Sequence, residues 1–407
     1  MANIKAIDAI MGSGKTSWAI QYMKEHRDKR FIYITPYLDE IKRIKKDCRW
    51  FIEPEDYPYT KQGHFLKLLN GGKCIVTTHE LFKRCQITPR IAQLISEHNY
   101  VLILDEMIDV VQKVNISIKD FNTLFSEHYV EAVQQDDGTE IVRWIDDDYS
   151  GKFDEFKQLI KSKTIIKYRN NMLMWLLPPE LLRTFDEIYI LTFMFKGSML
   201  EQYLKIHGMD YSLCYIQKSK VEQGSIYELV TGEQDISNQK AHIRELISVY
   251  EGDLNKIGDE KKSLNFTFWD GILPRQRRLV SNNALKYFEM KEARSNEIMW
   301  TCFKGRSKSE PSLNSLHQKR FLPCNTRATN KWSRCSVLAY LVNVNPDPNI
   351  THWFKEHDAC VDEEQYALST MIQWIWRSAI RTDKAISVYI PSRRMRELLK
   401  GWLACRI

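Results

Sequence analysis

The first half of the chain carries short, mainly apolar runs at 4–10, 30–35, 74–78, 101–104 and 188–194, three of them closed by proline, hydroxyl or acidic positions. Runs that are apolar on both faces and separated by amphipathic segments predict parallel strands with helices on either side of the sheet. Two of those segments are Ser17 to Met23 and the charged stretch Leu38 to Arg49, both expected as helices. From Val130 to Ile145 apolar and polar positions alternate around Gln135-Asp136-Asp137-Gly138-Thr139, a hairpin signal. A helical pattern follows at Phe153 to Lys161, and Met172 to Leu177 reads as buried strand or helix ended by Pro178-Pro179. The segment 121–180 is therefore expected as an insertion on a first domain.

Strand patterning restarts at Tyr211 to Ile216 and Ile226 to Val230, with a helix expected over Asn238 to Tyr250. Strands at Leu264 to Trp269 and Glu297 to Cys302 flank a helix from Arg275 to Lys291, so a strand-helix-strand rhythm recurs. Tyr366 to Ile380 is helical in pattern, and the chain closes with a strand at Ala385 to Ile390 and a helix that Ser392 caps after Pro391. The expected organisation is two α/β domains, 1–203 and 204–407, divided near Gly197 to Met209.

Composition narrows the class. Of 407 residues, 43% are hydrophobic and 27% charged, as in a water-soluble globular protein long enough for two domains. No run approaches the length of a membrane span and the opening residues lack a signal-peptide pattern, so no membrane association and a cytoplasmic location are expected. The 9 cysteines include no C-x-x-C pair and suggest neither a disulfide framework nor a zinc site. The net charge of +7 is uneven: from Thr301 to Ser336, Lys304, Arg306, Lys308, Lys319, Arg320, Arg327, Lys331 and Arg334 face one acid, Glu310. Such a segment suits a polyanion, although a solvated cationic surface gives the same pattern.

The chemistry starts at Ala9-Ile10-Met11-Gly12-Ser13-Gly14-Lys15-Thr16, placed between an expected strand and an expected helix. Gly12 and Gly14 allow positive φ and close backbone approach, so that N–H groups can converge on phosphate oxygens at a helix start. Lys15 then reaches the β and γ phosphates, and the Thr16 hydroxyl reaches Mg²⁺. Asp105 and Glu106 follow four aliphatics at a strand end, where ligands of open parallel sheets gather. An aspartate there can hold Mg²⁺ and the adjacent glutamate can orient the attacking water; the same two acids could instead open a helix. Thr192, within the run at 188–194, is expected at the strand tip and could sense a γ-phosphate beside them. Gln373, Arg377 and Arg381 are spaced by four and would share one helix face, arginine suiting phosphate oxygens by its planar fork.

These residues resemble the motifs of two-domain helicases and translocases of superfamily two, including DEAD-like helicases of phage genomes. Met11 to Thr16 looks like motif I and Asp105-Glu106 like motif II, while Ile34-Thr35-Pro36 and Val76-Thr77-Thr78-His79 are similar to the two motifs that touch the nucleic-acid backbone. Leu191-Thr192-Phe193 takes the place of motif III, Phe321 to Lys331 that of motif V and Gln373 to Arg381 that of motif VI. Motif II lacks the last two residues of DEAD or DEAH, motif III is not Ser-Ala-Thr, and motif VI has no glycine and wider arginine spacing.

The resemblance implies two tandem RecA-like P-loop lobes with parallel sheets that hydrolyse ATP with Mg²⁺ between them. It implies catalytic roles for Lys15, Asp105, Glu106, Arg377 and Arg381, with Gly12, Ser13, Gly14, Thr16 and Gln373 binding the nucleotide. It also implies contacts from Thr35, Thr77, Thr78, Arg327 and Lys331 to a strand of DNA ahead of RNA, and phage replication or recombination proteins as partners. Two other readings share the phosphate loop: a terminase-like packaging ATPase, which would need a clustered acidic nuclease centre, and a nucleotide-gated regulator that binds nucleic acid without unwinding.

Overall fold

The computed structural model describes residues 2–58, 60–84, 89–135, 138–162, 164–169, 171–221, 224–271, 273–303, 316, 318–325 and 331–407. Two compact units emerge, the first of residues 1–233 and 349–360, the second of 234–348 and 361–407. Both are mixed α/β with parallel sheets.

In the first unit the strands are β1 (Asn3–Asp8), β2 (Arg30–Thr35), β3 (Ile75–Thr78), β4 (Tyr100–Asp105), β5 (Val111–Lys113), β6 (Val130–Gln134), β7 (Glu140–Trp144), β8 (Thr164–Tyr168), β9 (Met172–Leu176), β10 (Glu187–Thr192), β11 (Tyr211–Val221) and β12 (Gly224–Thr231). Seven form the main sheet in the order β12-β11-β1-β10-β4-β2-β3, parallel throughout except for β12. β4 is buried along its whole length, as its aliphatic run demands. The helix after the phosphate loop, α1 (Lys15–Glu25), buries Trp18, Ala19, Ile20 and Met23. These pack with Phe31, Tyr33, Ile41 and Ile103 in one core.

β5 to β9 build a separate antiparallel sheet, β5-β9-β8-β7-β6, entered and left beside β4 and β10. The insertion thus begins near Val111 rather than 121, because Val111 to Lys113 pair with β9. The hairpin is β6–β7; its turn residues Asp136 and Asp137 lie outside the described residues.

The expected boundary at 197–209 is displaced to about 233. β11 pairs with β1, Ile7 lying opposite Cys214, and β12 folds back on β11, so this hairpin completes the first sheet. The chain also returns to the first unit at 349–360, where Tyr168 donates to Glu356 at 2.7 Å and Gln202 accepts from the Cys360 amide at 3.2 Å.

The second unit holds β13 (Ile247–Val249), β14 (Ile298–Thr301), β15 (Val337–Tyr340) and β16 (Ile386–Tyr389), an all-parallel sheet ordered β13-β16-β15-β14. The expected helix over 238–250 stops at Leu246, where Ile247-Ser248-Val249 pairs with β16. The expected strand at 264–269 is a helix, Phe266–Gly271, started by the Asn265 side chain accepting from the Phe268 amide at 2.7 Å. Ser392 caps the last helix, Arg393–Leu403, as expected.

Candidate functional site

β1 and β4 are not neighbours; β10 lies between them and pairs with both. Three links tie their carboxyl ends together. The Ala9 amide donates to the Thr192 carbonyl at 3.1 Å and the Glu106 amide to the Leu191 carbonyl at 2.9 Å. The Asp8 carboxylate accepts from the Met194 and Phe195 amides, each at 2.8 Å. In this way Lys15 and Asp105, 90 positions apart in sequence, share one electrostatic environment.

The loop itself turns at Gly12 (φ 83°) and Gly14 (φ 98°), left-handed values that side chains resist. Gly14 is the residue before α1 and its carbonyl accepts from the Trp18 amide at 2.8 Å. The Lys15 ammonium donates to the carbonyls of Ala9 and Ile10, the latter at 3.2 Å. Desolvation lowers its pKa, and Glu106, Asp8 and Asp105 oppose that fall. Asp105 is buried; desolvation, then Glu106 and Glu40, push its carboxyl up to about 7 against the pull of Tyr33 and Lys15. Asp8 is raised by burial, with the two backbone amides and Lys15 pulling the other way. Tyr33, buried on β2, has its hydroxyl pushed well up by desolvation and by the neighbouring Asp105.

Glu106 sits at φ 71°, a costly conformation for a residue with a side chain and one that concentrates at functional sites. Around the same tips, Ser13 Oγ, Thr35 Oγ1 and Thr192 Oγ1 are buried without a hydrogen-bond partner. Three acids, Glu106, Asp8 and Asp105, act electrostatically on the Lys15 charge. A polyphosphate meets net negative charge in such a place unless a divalent cation accompanies it, and the Thr16 hydroxyl with the Asp105 carboxylate is a donor set that suits Mg²⁺.

Other expected residues fare differently. Thr35 and Thr77 are buried, and Thr78 is partly exposed, its hydroxyl oxygen accepting from the Leu81 amide at 3.2 Å as a helix cap. The helix carrying Gln373 ends at Ile375. Arg377 follows in a turn and is buried, while Arg381 lies exposed in a 3₁₀ turn (Ala379–Thr382), so the two do not continue one helical face with Gln373. The physical reason is that Ser378 turns back: its hydroxyl donates to the Ile375 carbonyl at 2.6 Å and caps the helix end. Lys331 is exposed; Arg327 lies outside the described residues. Two further residues of the site, Asp8 and Tyr33, lie outside any motif. Asp8 was readable as the acid that closes the strand before the loop, whereas Tyr33 looks like any strand aromatic.

Among the described residues no helix is long and apolar enough to cross a membrane, and no group of three or more His, Cys, Asp or Glu side chains could hold a metal ion.

Residues 241–403 match the family model of the YonV C-terminal Rossmann-like domain, and residues 111–175 that of the YonV middle domain. The latter coincides with the antiparallel sheet of β5 to β9. An SPbeta prophage-derived uncharacterized protein YonV of Bacillus subtilis (strain 168) is 38% identical over 422 residues, covering 99% of both chains. Among solved structures, S. tokodaii Xpd4 matches over 98% of this chain and 94% of its own, with a TM-score of 0.48 and 10% identity. The DUF1998 helicase MrfA bound to DNA and AMPPNP matches over 100% of this chain and 48% of its own, with a TM-score of 0.36 and 10% identity.

Proposed function

The chain belongs to the YonV family, and from that membership together with the chemistry of the strand tips we propose that it is a phage-type helicase or translocase that hydrolyses ATP while bound to DNA. The observation that supports this above all is the meeting of Lys15 with Asp105 and Glu106 beside a loop whose two glycines are left-handed. The prophage origin of the relative supports a phage setting, within which the proposed role is in DNA replication or recombination.

In this reading the backbone amides of Gly12 to Thr16 and the Lys15 ammonium bind the phosphates. Mg²⁺, when bound, supplies further neutralisation of phosphate charge, and Thr16 and Asp105 are the residues that would hold it. Glu106 orients the water that attacks, accepting its proton. Asp8 fixes the turn after Thr192, which keeps that hydroxyl at the rim of the site. Gln373, Arg377 and Arg381 are assigned to the nucleotide as the resemblance implies, arginine charge offsetting the charge that spreads over the γ-phosphoryl group. Lys331 is assigned to the nucleic-acid backbone.

Steady-state ATP hydrolysis measured with single-stranded, duplex and forked DNA and RNA tests the assignment. The expected result is polymer-stimulated turnover that drops about a hundredfold or more in Lys15→Ala and in Glu106→Gln. A rate indifferent to every polymer would remove the motor reading. A second reading, a nucleotide-gated regulator, draws on Arg377 being buried in a turn instead of lying on an exposed helical face. Tight binding of ATP without turnover, whatever the polymer, is its signature.

A further inference from the structure

Gly12 and Gly14 are glycines for different reasons. A Cβ built on Gly12 would meet nothing within 4 Å, so only its backbone angle calls for glycine. A Cβ on Gly14 would lie 2.3 Å from Cε1, 2.8 Å from Cδ1 and 3.3 Å from Cζ of Tyr227. The Tyr227 ring therefore fills the space a side chain at 14 would need.

The fold explains how a residue more than two hundred positions away arrives there. β11 runs parallel to β1 with Ile7 opposite Cys214, and its remaining residues, as far as Val221, continue past the end of β1 on the side where the phosphate loop leaves the sheet. β12 returns along that overhang with Tyr227 opposite Lys218. Because β12 is an edge strand, one of its sides has no strand partner. Gln21 of α1 supplies the partner: its Oε1 accepts from the Tyr227 amide at 3.0 Å and its Nε2 donates to the Tyr227 carbonyl at 3.3 Å. Gly14, α1, Gln21 and Tyr227 thus form a closed circuit in which the same helix that begins at the loop holds the ring that presses on the loop.

We propose that Tyr227 is a positioning residue for the phosphate loop, acting through Gly14 and itself held by Gln21. The inference rests on the nucleotide reading of the loop and deepens it. The ring keeps Gly14 in its left-handed conformation before any phosphate arrives, so the amides need no ordering when nucleotide binds. Tyr227 touches the loop by its ring, and its hydroxyl has no part in the effect.

Binding of a fluorescent ATP analogue with Mg²⁺, together with KM and kcat for ATP, tests this on the full chain. Tyr227→Phe should bind as the parent does. Tyr227→Ala and Gln21→Ala should each weaken binding and raise KM by about tenfold with kcat nearly unchanged, and the double variant should be no worse than either single one. Parent-like affinity in Tyr227→Ala, in a parent that does bind the analogue, overturns the proposal alone. A parent that binds no analogue, and so matches Lys15→Ala, brings down the nucleotide reading and this one with it. A second cycle reads the contact without nucleotide: Gly14→Ala should lower the melting temperature by several degrees more in the parent than in the Tyr227→Ala background. Equal losses in the two backgrounds would show that the ring does not press on Gly14.

Discussion

Asp105 is buried at the tip of β4 and its carboxyl is pushed up from the usual carboxylate range to about 7, first by desolvation and then by Glu106 and Glu40. The sign of the consequence follows from proton counting. Between about pH 4 and about pH 7 the folded chain keeps a proton at Asp105 that the unfolded chain has released, so this residue's contribution to stability falls as pH rises through that window. Above it the penalty is full, on the order of 4 kcal/mol as an upper bound from linkage. Asp105→Asn carries no such charge. Urea denaturation should show the variant gaining on the parent as pH is raised from about 5 to about 8, with the gap closing at the acid end. A gap that does not vary with pH would mean that the carboxyl titrates normally. The same variant loses the donor expected for Mg²⁺, so it should be more stable and less active, the exchange common at strained functional positions.

Asp8 decides how the strand ends are joined. Its two oxygens accept from the Met194 and Phe195 amides at 2.8 Å each, and Met194 holds φ 60° in the turn so formed. Removing the carboxylate leaves two amides without acceptors at a partly buried site, so Asp8→Ala should cost about 2–4 kcal/mol in chemical denaturation of the first unit. Asp8→Asn should recover little, because its amide nitrogen would face one of the two N–H donors. Loss of less than about 0.5 kcal/mol in Asp8→Ala would show that water satisfies the turn equally well. This clamp was only half legible in the chain. The apolar runs marked β1, β2, β3, β4 and β10, because strands buried on both faces leave no other pattern. The pairing of β10 between β1 and β4 depends on contacts remote in sequence, and so did the role of Asp8. Elements set by local competition misled in the second unit: Leu264 to Trp269 has strand-like residues, yet Leu264 at φ 61° and the Asn265 cap start a helix. β15 is buried along its length, but its run of four residues is too short to stand out by pattern alone.

At the scale of the whole chain, the two α/β units and the insertion were readable from rhythm, while their borders were not. β11 and β12 resemble a fresh start because they follow a helix and a turn, but their backbone groups are satisfied by β1 and by Gln21, which binds them to the first unit. The segment 349–360 is likewise claimed by the first unit through Glu356 and Cys360, and nothing local in its sequence announces that. Two units in one chain make separate unfolding transitions the natural expectation, and a ligand stabilises whichever unit holds it. A non-hydrolysable ATP analogue with Mg²⁺ at about a hundred times its dissociation constant should stabilise the first unit by about 2.7 kcal/mol, provided the unfolded chain does not bind it. Amide hydrogen exchange on the intact chain should then slow at 9–16, 105–106 and 191–195 in the parent and stay unchanged in Lys15→Ala. The segment 373–382 is the discriminating one. If Gln373, Arg377 and Arg381 act on the nucleotide that Lys15 binds, exchange there slows in the parent and not in the Lys15 variant. Protection confined to the first unit would leave the phosphate loop as a nucleotide site and withdraw the arginines from its chemistry.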